Sequence, residues 1–150
     1  MARYLISFND EWVQPHTPEE LTAKAVAVDA VVEDMRAAGV FLFGDGGLDA
    51  STALCSVVAQ DGHPVFTDGA YAETKEHLGG FTVIEVPDDE TAREWAGRVA
   101  VALDWPQEVH RFPPPMPQTR AAFEPRGHDT TRGDAPSADD IAGADTAKGA

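Results

Sequence analysis

The chain has 150 residues, of which 43% are hydrophobic and 25% charged, enough apolar material for one ordinary globular core. Its formal net charge is -15, which excludes nucleic acid and anionic membrane surfaces as expected partners, because both would be repelled. The lone cysteine, Cys55, excludes an internal disulfide, and the lack of a charged leader or a long apolar run makes the cytoplasm the expected compartment.

The first element, "RYLISF" (3–8), alternates Tyr4, Ile6 and Phe8 with Arg3, Leu5 and Ser7, the period of a strand. "HTPEEL" then opens a helix. Thr17 is placed to cap it, Pro18 suits the first helical position, and Glu20 completes a capping box. Leu21, Ala25, Val28, Val31, Val32 and Met35 mark its inward face, and Gly39 marks its stop. "VFLFGDGGL" (40–48) reads as an extended segment, "TALCSVVA" (52–59) as a strand, and "QDGH" as a two-residue hairpin turn into "PVFT" (64–67). "GFTVIEV" (80–86) is another strand. Pro87 and Asp88 open a second helix with Ala92, Trp95, Ala96, Val99 and Leu103 on one face, and "QEVHRF" (107–112) is the last strand.

The order β-α-β-β-β-α-β predicts an α+β fold: a ferredoxin-like antiparallel sheet with two helices on one face. The other face would be bare. Apolar residues on both sides of strands 52–59 and 81–86 predict that a second subunit covers it, giving a homodimer through the sheet face. The composition changes at Pro113. Residues 1–112 form the expected domain, and 113–150, rich in Pro, Ala and Asp, read as a disordered tail that cannot bury enough apolar surface to fold.

The most informative string is "TDGAYAETKEHLGG" (67–80), a charged segment set between two strands. Together with its flanks it resembles the YCII-related family, in the DGPF subgroup. The carrying residues are Thr67, Asp68, Gly69, Tyr71, Glu73, Lys75, Glu76, Gly79, Gly80 and Phe81. The segments "ARYLISF", "RAAGV", "GDGGL" and "DDETAREWAGRV" also look like that family, so the likeness covers about residues 2–112. The subgroup's proline is Ala70 here, which removes a preset φ from the turn. The resemblance implies a dimeric α/β-barrel fold and a cleft near this loop. It also implies kinship with small-molecule enzymes, among them a dehydrochlorinase of chlorinated hydroxyaromatic compounds, and with proteins linked to alternative sigma factors.

Asp68 and Lys75 are the candidate catalytic residues. Asp68 is a general base or orienting carboxylate at a strand end, and Lys75 is a contact for an anionic oxygen. The plainer reading makes Asp68–Gly69 a turn and the Glu73, Lys75 and Glu76 charges a solvated face. Tyr71, Glu73, Asp45 and His16 are the candidate substrate-binding residues. No metal-ligand spacing, phosphate loop or nucleophile elbow is present, so neither a metal nor a cofactor is expected. Two functions of different class remain open. One is a metal-free enzyme doing acid/base chemistry on a small-molecule ligand in a cleft beside loop 67–80. The other is a non-catalytic dimeric module that binds a ligand or a protein, in a regulatory pathway such as sigma-factor-linked transcription.

Overall fold

A computed structural model describes residues 1–70 and 75–114. The expected tail therefore lies, from residue 115 onward, outside the described residues. The elements are β1 (Ala2–Asn9), α1 (Pro18–Ala37), β2 (Phe41–Gly46), β3 (Cys55–Gln60), β4 (His63–Asp68), β5 (Leu78–Val86), α2 (Asp89–Leu103) and β6 (Glu108–Arg111).

Four strands form one antiparallel sheet in the order β2-β5-β1-β6, the ferredoxin-like arrangement expected from the sequence. The register pairs Tyr4 with Ile84 and Ala2 with Val86, so these side chains share the face that the helices cover. Tyr4, Ile6, Ile84 and Val86 meet Val31 and Met35 of α1 and Ala92, Ala96, Val99 and Leu103 of α2 in a single core. The Tyr4 hydroxyl donates to Asp89 Oδ1 at 2.6 Å, which gives the buried ring's polar tip its partner at the start of α2.

Both helices begin as the sequence indicates. Thr17 Oγ1 accepts from the Glu20 N–H at 3.2 Å, while the Glu20 carboxylate accepts from the Thr17 N–H at 2.8 Å. Asp88 Oδ1 caps α2 by accepting from the Thr91 N–H at 2.8 Å. One predicted element starts later than expected. The strand forms from Cys55 rather than residue 52, because Asp49 takes the Ser51 and Thr52 N–H groups and winds Ala50–Thr52 into a short 3-10 turn.

The larger difference concerns the central hairpin. β3 and β4 form their own two-stranded sheet, joined through Asp61 and Gly62, both at positive φ as a tight hairpin turn requires. The apolar residues of 52–59 thus belong to a separate hairpin, not to the bare face of the main sheet. Residues 47–77 are one insertion between the neighbouring strands β2 and β5.

Candidate functional site

The two ends of α1 pack differently. Val31 and Met35 are buried, whereas Leu21 and Ala25 are exposed, although all were expected on the inward face. The first turns of α1 stand off the sheet and wall a groove of about 430 Å³. Leu21, Lys24, Ala25, Val28, Asp29 and Val32 form one wall, at the spacing of a single helical stripe. Ile6, Phe8 and Phe41 supply the floor, Leu103, Trp105 and Gln107 the end wall, and Gly44–Gly47, at the end of β2 and just beyond it, the opposite rim. A groove of this size, mostly apolar with a few polar groups, has the form of a small-molecule site.

The charged groups are distributed along it. Lys24 lies three residues after Leu21 and four before Val28, inside the apolar stripe. Its Nζ donates to the Leu103 carbonyl at 2.6 Å and sits 5.7 Å from the Trp105 ring centre, so the ammonium is held at the end of α2. Arg36 closes the other end, stacked 4.7 Å over Phe41 and ion-paired with Glu33. Asp29 and Asp45 border the groove between them. Asp45 Oδ1 accepts from the Gly46 N–H at 2.8 Å.

The aromatic end wall rests on the two glycines of the 67–80 string. The Phe8 ring lies against Gly79 and Gly80. A Cβ at Gly79 would stand 2.5 Å from Phe8 Cε2, and one at Gly80 would stand 2.7 Å from Phe8 Cε1. Only glycine permits that approach. Phe8 in turn packs on Trp105, with ring centres 5.0 Å apart, and the His16 ring meets the edge of Trp105 at 5.7 Å.

The residues singled out from the sequence therefore fall in different places. Asp45 borders the groove, and His16 stands behind its Trp105 wall. Asp68 ends β4 opposite Cys55 and is exposed, as is Lys75, and neither lines the groove of its own chain. Tyr71 and Glu73 lie outside the described residues. Lys24 and Trp105 were not singled out. Lys24's position within an apolar stripe was the available signal; what it touches comes from residues about 80 positions away. Among the described residues no group of three or more His, Cys, Asp or Glu is placed to hold a metal ion. No helix of the described residues is long and apolar enough to cross a membrane.

Beside the groove, the return of the insertion is fastened by a polar clamp. His77 O accepts from the Asp10 N–H at 2.8 Å, the His77 N–H donates to Glu11 Oε2 at 2.8 Å, and the His77 ring pairs with Glu11 Oε1. The His77 N–H, then its ring, holds the Glu11 carboxyl below its ordinary range. The Ser51 hydroxyl and N–H do the same for Asp49, as do the Thr91 N–H and hydroxyl for Asp88. A carboxyl with a depressed folded-state pKa adds stability that is present above its unfolded value and is lost as the pH falls through the folded value. The protein should therefore lose stability on acidification below the ordinary carboxylate range. Acid titration by circular dichroism should show a shallower acid limb in Glu11→Gln and Asp88→Asn; unchanged limbs would mean these contacts do not form in solution.

A family model of the YCII-related domain matches residues 3–103, from β1 to the end of α2 with the insertion included. No curated protein matches the chain.

Proposed function

The chain belongs to the YCII-related domain family, and from that premise we propose that it binds a small, largely apolar molecule bearing one anionic group. The ligand would lie in the groove beneath the first turns of α1. The observation that carries this is the fixed Lys24 ammonium, held between Leu103 and Trp105 beside Leu21, Ala25 and Val28 of the α1 wall. A lysine has three donors, and Leu103 engages one. A carboxylate or phenolate entering the groove supplies acceptors for the others, while its apolar body covers Val28, Phe41 and Val32.

Binding leads the enzyme reading because the Lys24 ammonium, donating to the Leu103 carbonyl beside Trp105, is placed to hold an anion. Acid/base chemistry is the second reading, favoured by the Asp29 carboxylate on the α1 wall of the groove. Asp45 borders the groove at its rim, but as the register partner of Phe81 it directs its side chain to the other face of the sheet. On either reading Asp68 and Lys75 act outside the groove of their own chain. The string from Thr67 to Phe81 supports placing the chain in the DGPF subgroup. The face of the sheet away from the helices carries Leu5, Phe43, Phe81 and Val83. Phe43 is 57% exposed and stacks on Phe81 at 5.7 Å. Such a face supports a homodimer through the sheet.

The test is a thermal-shift screen of aromatic and aliphatic carboxylates and phenols, followed by calorimetric titration of each hit. Lys24→Met should weaken a hit by about tenfold to a hundredfold, the scale of one charge-assisted hydrogen bond, while the fold is kept. Equal affinity for wild type and Lys24→Met would remove the anion from the proposal. If a hit is transformed, Asp29→Asn should separate the two readings: turnover lost with binding retained marks the base.

A further inference from the structure

The β3–β4 hairpin has an unusual surface for a protein of this charge. Val57 and Phe66 are register partners on one of its faces, 53% and 66% exposed, and Val58 and Val65 are partners on the other, 43% and 40% exposed. Leu54 at its base is 89% exposed. Among the described elements, β3 and β4 pack extensively only on each other. A two-stranded hairpin alone is marginally stable in water. Apolar side chains on both of its faces add nothing while they face solvent.

We propose that this hairpin is an arm that clasps a second copy of the chain. The main sheets meet through their open faces, and each arm projects past the end of its own sheet to pack on the other copy. This rests on the dimer reading above and adds the arm as part of the interface. Three observations select a second copy as the occupant. First, the insertion that carries the arm leaves the sheet at Gly46, opposite Gly80 and one residue from Phe81 of the open face. Second, strands β3 and β4 together carry a single charged residue, Asp68 at the base of the arm, in a chain of net charge -15. Two such chains repel everywhere except through uncharged surfaces, and a basic foreign partner would be drawn instead to the acidic ones. Third, the arm's strands of six residues each reach about 20 Å, enough to overhang a neighbour across a two-fold axis. A two-fold pair covers both arms and both open faces at once, which one chain cannot do for itself.

Cys55, the chain's sole cysteine, lies on the arm on the same face as Val57 and Phe66, and is exposed in the single chain. It reports on the arm directly. The experiment follows the full-length protein by light scattering after gel filtration and measures how fast Cys55 reacts with a maleimide across a dilution series. The expected mass is twice 16.0 kDa, falling to 16.0 kDa in Phe66→Asp with an unchanged circular dichroism spectrum. In wild type, Cys55 should react at least about tenfold more slowly above the dimerisation concentration than below it, since access governs thiol reaction. A dimer that survives Phe66→Asp, with Cys55 equally reactive at every concentration, overturns the arm and leaves the sheet-face dimer standing. A wild-type protein that is monomeric at every concentration overturns both.

Discussion

Replacing Gly80 with alanine should destabilise the protein by about 1–3 kcal/mol, and replacing it with valine by more, as overpacking at a closed site does. The added Cβ would meet Phe8 Cε1 at 2.7 Å and Cζ at 3.0 Å on one side and the Gly46 Cα at 3.1 Å on the other. The ring cannot swing clear, because Trp105 packs behind it at 5.0 Å. The neighbouring strand cannot give without breaking its register with β5. Gly97 provides the contrast. It lies within α2 and a Cβ there meets nothing within 4 Å, so Gly97→Ala should stabilise by about 0.5–1 kcal/mol. Chemical denaturation of the two variants checks the pair of signs. A Gly80→Ala protein as stable as wild type would mean that Phe8 does not lie over the Gly79–Gly80 pair. The end wall of the groove would then be built differently.

The second large effect is on ligand binding. Ala25 lines the groove from an exposed position on α1, so Ala25→Trp adds an indole without displacing any buried group. The helix tolerates tryptophan at a cost of a few tenths of a kcal/mol. The ring should occupy the space between α1 and the floor and reduce ligand affinity by more than about a hundredfold, the loss of most of a buried apolar contact. Melting temperature should stay near that of wild type, or rise if the ring fills the groove well. Undiminished affinity in a folded Ala25→Trp protein would place the ligand elsewhere.

Much of the scaffold was legible because its signals are local. The Thr17–Glu20 capping box, the Asp88 cap, the Asp61–Gly62 turn and the alternation in β1 and β5 each depend on residues within a few positions of one another. The detachment of the hairpin was not legible. A strand with apolar residues on both faces reads the same whether it sits inside a sheet or stands apart awaiting a partner. The site was legible in part. Asp45 stood out as a carboxylate among glycines and does border the groove. Lys24 did not stand out, because a single lysine in an amphipathic helix is ordinary. Its significance comes from Leu103 and Trp105, which the fold brings to it from the far end of α2. The charged string 67–80 drew attention to Asp68 and Lys75. Two of its members whose packing is visible, Gly79 and Gly80, contribute by having no side chain at all, a role that a search for titratable groups passes over.

The groove and the 67–80 loop can be told apart in one titration. A carboxylate ligand from the screen, added to isotope-labelled protein, should shift the amide signals of Lys24, Val28, Gly44 and Gly46 and the indole signal of Trp105, with Asp68 and Lys75 unmoved. Shifts confined to Asp68, Lys75 and their neighbours, with the α1 and β2 signals still, would contradict the groove as the binding site.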